Sequence, residues 1–106
     1  MSHEGWSIDD ADGHDLRPDP LTASTAAELV AMLRALRAWS GQPGYRVMAR
    51  RGHYLTAPST LCTALGRDQL PSLTVVIALV EGSGGSSEDV RRYVTAWRRL
   101  KIAAST

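Results

Sequence analysis

One short apolar run constrains the fold more than any other feature of the chain. Residues 72–85 read SLTVVIALVEGSGG, in which Leu73 to Val80 are apolar except for Thr74. Periodicity alone allows a buried strand or a buried helix, because a short run that is apolar on all sides has no distinguishing repeat. No second strand-like segment occurs to pair with it, and a lone strand is not stable. The run therefore predicts the central helix of an all-α core, ended by the glycine-rich stretch 82–85.

A longer amphipathic helix is predicted before that run. Thr25 and Glu28 have the spacing of a capping box, which satisfies two amide donors at a helix start. Apolar residues then recur every three or four positions, namely Leu29, Met32, Leu33, Leu36 and Trp39. The sequence SGQPG at 40–44 ends this helix.

Three other segments complete a compact five-helix bundle. A short helix fits 45–51, and a second fits 58–65 with Pro58 in its first turn, where the missing N–H is no loss. The last helix begins with Ser86 as its N-cap. Its apolar stripe consists of Val90, Tyr93, Val94, Trp97 and Leu100. We expect Trp39 and Trp97 to fill the core.

Length and composition exclude several classes of protein. With 106 residues the chain supports one domain and one modest core. Cys62 is the only cysteine, so an internal disulfide and a thiolate metal cluster are excluded; its place between Leu61 and Leu65 predicts a buried side chain. No apolar run reaches the roughly 18 residues of a membrane span. The first 15 residues lack a secretory signal pattern, so a cytoplasmic location is expected.

The net charge of +1 conceals two segments of opposite sign. Residues 1–20 carry six acidic residues and one basic residue, whereas 21–106 carry eleven basic and five acidic residues. The first segment has no helical or strand period, so we predict an acidic disordered tail at 1–20 and a folded domain at 21–104. Eleven of the twelve basic residues are arginine, which suits phosphate or carboxylate recognition but is also typical of GC-rich coding sequence.

The order and spacing of four segments resemble a known family. They read LVAMLRALRAWSG at 29–41, YRVMARRG at 45–52, PSTLCTAL at 58–65 and GRDQLPSLTVVIALVEGSGG at 66–85. Residues 29–100, about two-thirds of the chain, resemble a helix-turn-helix domain of the Cro/C1 (XRE) repressor type, in the variant common in actinobacterial proteins. The resemblance implies a recognition helix at about 58–65, with Ala49 at a helix crossing and Leu61 as apolar anchor. The residues that would then face the DNA major groove are Pro58, Ser59, Thr60 and Thr63.

Two departures from the family pattern affect what this helix could recognise. Ala49 and Leu61 lie twelve positions apart, so the intervening turn is longer than in the tight form of the motif. The predicted reading face carries hydroxyls and no Arg, Asn or Gln before Arg67, although those residue types make bidentate contacts with bases. Affinity would then come mainly from phosphate contacts by Arg46, Arg50, Arg51 and Arg67, with Arg34 and Arg37 as further candidates. The alternative is that these arginines are ordinary solvated surface.

The sequence therefore predicts a small DNA-binding protein, a transcriptional regulator, whose partner is double-stranded DNA. Recognition of a half-site by one weak module predicts a homodimer. The alternative is a protein-protein interaction module, an adaptor with its own protein partner, on a degenerate helix-turn-helix scaffold. An enzyme is not predicted, because no catalytic constellation, phosphate-binding loop or metal-ligand spacing occurs; no cofactor, metal or membrane partner is expected. The acidic tail is predicted to fold onto the basic face and reduce non-specific binding.

Overall fold

The computed structural model describes residues 8–105, and these contain helices and no strand. A 3₁₀ turn at Pro20–Thr22 precedes the helices α1 (Ala26–Trp39), α2 (Tyr45–Arg51), α3 (Pro58–Leu65), α4 (Leu73–Gly82) and α5 (Ser87–Ala104). The prediction of an all-α fold with five helices is confirmed for this part of the chain. None of the described helices is both long enough and apolar enough to cross a bilayer.

The apolar run from Leu73 to Val80 forms the central helix. α4 contacts each of the other four helices, and Val76, Leu79 and Val80 are at most 1% exposed. Its start is fixed by Ser72, whose hydroxyl accepts a hydrogen bond from the N–H of Val75 at 3.3 Å. A helix satisfies its own backbone groups, so this run can be buried without a partner strand. Within the run only Thr74 is exposed, and Leu73 and Ile77 are half-buried.

α2 and α4 approach each other closely at Gly82. A Cβ atom built on Gly82 would lie 2.7 Å from the Cβ of Met48 and 2.9 Å from its carbonyl oxygen. Only glycine leaves room for this approach, which presses the backbone of α2 against the end of α4. This contact fixes α2 relative to the core, and a turn at residues 52–57 connects α2 to α3.

Both predicted helix caps are present, with one difference in detail. The hydroxyl of Thr25 accepts a hydrogen bond from the N–H of Glu28 at 3.1 Å, as expected. The Glu28 carboxylate, however, accepts from the N–H and hydroxyl of Ser24, one residue before the cap. At α5 the reciprocal capping box is complete, between Ser86 and Asp89.

The two tryptophans expected in the core lie at its edge instead. Trp39 and Trp97 are half-buried, and each uses its indole N–H: Trp39 donates to the Asp10 carboxylate at 2.9 Å and Trp97 to the Pro71 carbonyl at 2.8 Å. Tyr93 takes the central place and is 2% exposed. Each indole N–H finds its partner at the edge of the core, whereas the Tyr93 hydroxyl donates to the Met32 carbonyl at 3.3 Å inside it.

The prediction that Cys62 is buried is wrong, because its side chain is exposed. Leu61 and Leu65, one turn apart, point into the core, and both are at most 5% exposed. Cys62 follows Leu61 by about 100° around the helix, which takes it out of the buried face.

The acidic amino-terminal segment differs from the expected disordered tail over residues 8–20. There it follows the surface of α1 and α5: Asp10 accepts from Trp39, Arg17 pairs with Asp89 and Asp19 pairs with Arg92 at 2.6 Å. Residues 1–7 of that predicted tail lie outside the described residues. The missing helical or strand period suggested disorder, but ion pairs and hydrogen bonds dock the segment on α1 and α5 instead.

Candidate nucleic-acid interface

The turn between α2 and α3 has six residues, Gly52 to Ala57, and two of them have unusual backbone angles. His53 and Tyr54 have φ values of 55° and 57°, in the left-handed region. The N–H of Tyr54 donates to the carbonyl of Ala49 at 2.8 Å, which closes the end of α2. The turn leaves Tyr54 67% exposed and Leu55 56% exposed. The enlarged turn predicted from the sequence is thus ordered and has an apolar tip.

α3 presents a polar ridge to solvent. Leu61 and Leu65 hold its inner side against the core. The residues of its outer side are exposed, namely Ser59, Thr60, Cys62 and Thr63. The structure thus places the three predicted hydroxyl residues together on one exposed helix face, with Pro58 half-buried at the first position of the helix.

A groove lies along the ridge on the side of α4; we call it the α4-side groove. Its volume is 290 Å³, and it is lined by Ser59, Thr60, Thr63, Ala64, Arg67, Gln69, Leu70, Pro71, Ser72 and Val75. The segment between α3 and α4 therefore places a guanidinium and a carboxamide beside the hydroxyls of α3. Gln69 was not predicted from the sequence, although its position two residues after Arg67, in the break following α3, was a usable signal.

A second groove, the α1-side groove, lies on the other side of the ridge. It also has a volume of 290 Å³ and is lined by Arg34, Arg37, Gln42, Tyr45, Cys62, Leu65 and Gly66. Arg34 donates to the Leu65 carbonyl at 2.8 Å, and Arg37 donates to the Pro43 carbonyl at 2.9 Å while its guanidinium stacks 4.2 Å from the ring centre of Tyr45. Both arginines are therefore held in place beside α3.

The structure separates the predicted arginines into different environments. Arg46 and Arg50 are exposed, lie one turn apart on α2 and line neither groove. Arg51 is half-buried, and its guanidinium donates to the carbonyl of Gly82 at 3.1 Å, which ties α2 to the end of α4. Arg67 alone among the four lines a groove with the hydroxyls of α3. Arg51 thus has a structural contact that the sequence did not indicate.

Shifted pKa values are found away from the ridge. The N–H of Leu16 and the indole N–H of Trp39 lower the pKa of Asp10 below its usual value. The N–H of Leu21, and then the Arg92 guanidinium, lower the pKa of Asp19. The largest cause of each shift is thus a hydrogen bond from a nearby backbone N–H, and the contact with Trp39 or Arg92 adds to it. Within residues 8–105 no group of three or more His, Cys, Asp or Glu side chains is placed to hold a metal ion.

That segment docks on α1 and α5 and not on the outer face of α2 and α3. Its partners are Trp39, Asp89 and Arg92, with a further bond from Arg99 to the Leu21 carbonyl at 2.8 Å. Over residues 8–20 it therefore leaves the α3 ridge open, which differs from the predicted mask over the basic face.

Comparisons of the chain with protein-family models, with curated proteins and with solved structures give no match. The resemblance to Cro/C1-type domains stays a prediction from the residues.

Proposed function

We propose that the chain binds double-stranded DNA, with the α3 ridge in the major groove, and that it acts as a transcriptional regulator. The observation that carries this proposal is the position of α3: its polar side is exposed, and arginines stand on both flanks. The major groove is about 12 Å wide and admits one helix. Arginines on either side of such a helix are suited to contact the phosphates of the two strands.

The charge distribution supports binding that depends on phosphates. Arg34 and Arg37 flank α3 on one side and Arg67 on the other, while Arg46 and Arg50 add exposed charge on α2. If about four of these neutralise phosphates, the logarithm of the affinity should fall with the logarithm of salt concentration with a slope of about −4.

The test is a fluorescence-anisotropy titration of a labelled duplex with the full chain at several salt concentrations. Arg50→Ala should reduce the slope by about 1. The matched control is Arg91→Ala, which removes an exposed arginine on α5 that pairs with Glu88 and lines neither groove. An equal effect of both variants would contradict the proposal, as would the absence of binding at low salt.

A protein-binding role is the second candidate, favoured by the apolar tip of the turn. Tyr54 and Leu55 are exposed beside α3, and the α4-side groove also contains Leu70, Pro71 and Val75. Large apolar side chains on a surface are typical of sites where proteins meet. Under this candidate Tyr54→Ser combined with Leu55→Ser would abolish partner binding and leave any affinity for DNA unchanged.

We include a homodimer in the DNA-binding proposal, because one small module contacts only a half-site and would bind it weakly. Sedimentation equilibrium of the full chain, with and without a duplex, measures the stoichiometry directly.

A further inference from the structure

We propose that Arg67 and Gln69, in the segment between α3 and α4, are the residues that read the DNA sequence, and that they recognise the major-groove edges of purines. Arg67 would pair with guanine and Gln69 with adenine. This inference rests on the proposed function and assigns its specificity to residues outside the helix that enters the groove.

The chemistry of the α3 ridge leaves sequence recognition unexplained. Ser59, Thr60 and Thr63 each offer one hydroxyl, which both donates and accepts and therefore discriminates weakly between bases. Guanine presents two acceptors at its major-groove edge, and adenine presents one donor and one acceptor. Arginine and glutamine are the side chains that match these two pairs in a bidentate way. The α4-side groove contains one of each.

Both side chains are exposed and uncommitted. Within residues 8–105 no hydrogen bond or ion pair holds the guanidinium of Arg67 or the carboxamide of Gln69. By contrast, Arg34 and Arg37 each donate to a backbone carbonyl. The donors of Arg67 and Gln69 are therefore available to a ligand without breaking an existing contact.

The backbone that carries them is fixed at both ends. The N–H of Gly66 donates to the carbonyl of Cys62 at 3.2 Å, and the Pro71 carbonyl accepts from the indole of Trp97 at 2.8 Å. Leu70, next to Gln69, packs against the core. A short segment anchored in this way presents its side chains with little loss of backbone entropy on binding. Two free side chains of the right type thus lie on a rigid support beside α3.

The experiment starts with selection of duplexes from a randomised pool by the full chain. Competition titrations then give the ratio of affinities for the selected duplex and a scrambled one. Gln69→Ala should lower this ratio about tenfold and leave affinity for the scrambled duplex unchanged. Arg67→Ala should lower the ratio by a similar factor and also weaken scrambled binding, because it removes a charge.

A gain of specificity gives a sharper test than a loss. Glutamate accepts a hydrogen bond from the exocyclic amine of cytosine, so Gln69→Glu should shift the selected base from adenine to cytosine at one position. Thr63→Ala is the comparison within the same groove: a hydroxyl discriminates weakly between bases, so its loss should change the ratio less than threefold. The control outside the site is Thr95→Ala, an exposed position on α5 that lines neither groove and should leave both affinities unchanged. All these positions are exposed, and circular dichroism with thermal melting confirms that each variant is folded.

Three results would overturn the inference while leaving DNA binding intact. The first is an equal loss of affinity for both duplexes in Arg67→Ala with no loss in Gln69→Ala, which would make Arg67 a phosphate contact. The second is a larger loss of specificity in Thr63→Ala than in Gln69→Ala. The third is a selection that yields no preferred sequence. Absence of binding to any duplex at low salt would instead refute the proposed function itself.

Discussion

Replacing Gly82 with alanine should destabilise the fold through a steric conflict that the structure locates. The new Cβ would lie 2.7 Å from the Cβ, 2.9 Å from the carbonyl oxygen and 3.0 Å from the Cα of Met48. Two of these atoms belong to the backbone of α2, so no side-chain rotation relieves the contact. The two helices would have to separate, which would also disturb the bond from Arg51 to the Gly82 carbonyl.

The magnitude follows from two opposing effects. Overpacking a well-filled core lowers the free energy of unfolding by about 1–3 kcal/mol. The loss should lie at the upper end here, because the added Cβ meets backbone atoms of Met48 that cannot rotate away. Alanine in a helix gains about 1 kcal/mol over glycine. The expected net loss in the free energy of unfolding is about 2 kcal/mol, which lowers the melting temperature by about 8–16 °C at this chain length.

The matched control is Gly52→Ala, at the same contact between α2 and α4. There the added Cβ would lie 3.6 Å from the Met48 carbonyl oxygen and 3.7 Å from Ala78, ordinary contact distances. Chemical denaturation of both variants, followed by circular dichroism, should show a large loss for Gly82→Ala and a change within about 1 kcal/mol for Gly52→Ala. Equal losses, or a stabilised Gly82→Ala protein, would refute the argument that this close approach fixes α2.

Three further predictions concern other parts of the molecule. The Cys62 thiol should react with a thiol reagent in the folded protein at a rate near that of a small exposed thiol; reaction only on unfolding would contradict its exposure. Asp89→Ala removes one half of the α5 capping box and the partner of Arg17, and should lower the free energy of unfolding by about 2 kcal/mol in denaturant titrations. The N–H of Leu16 and then the indole N–H of Trp39 lower the pKa of Asp10, so the contribution of its carboxylate to stability is present above pH of about 4 and is lost as pH falls further. The fluorescence of Trp39 should therefore change in that acid range. Asp10→Asn should remove that change, Trp39→Phe should remove the signal, and an unchanged acid transition in Asp10→Asn would contradict the assignment.

The helices could be predicted because capping residues and the pattern of apolar residues indicate the same elements. The run from Leu73 to Val80 had no partner strand, and the structure shows it as the buried helix that this absence required. Thr25 caps α1 at the spacing to Glu28 that predicted it, and Ser86 caps α5 as predicted. In these places one residue and its neighbours three or four positions away decide the structure.

Contacts between distant segments could not be predicted in this way. The docking of Arg17 on Asp89 and of Asp19 on Arg92 joins residues more than seventy positions apart, and no local pattern signals it. The bond from Arg51 to Gly82 depends on how α2 packs on α4, so an arginine that looked free in the sequence is engaged in the structure. The exposure of Cys62 follows from helix geometry and was predictable, had the angle between it and Leu61 been applied.

The candidate site shows the same division. The hydroxyl face of α3 followed from its sequence, because helical spacing puts Ser59 and Thr63 on one side. The two flanking grooves depend on how α1 and the segment before α4 pack against α3. The position of Gln69 beside α3 could therefore not be predicted from the sequence.

The most direct test of the account is a map of backbone amide shifts in the full, isotope-labelled chain as a short duplex is added. We expect the largest changes in two stretches, 58–65 on α3 and 66–72 before α4, with smaller changes at Arg34 and Arg37. We expect little change in α5, although that helix carries five basic residues. Changes concentrated on α5, with α3 unaffected, would contradict the claim that the α3 ridge is the DNA-binding surface.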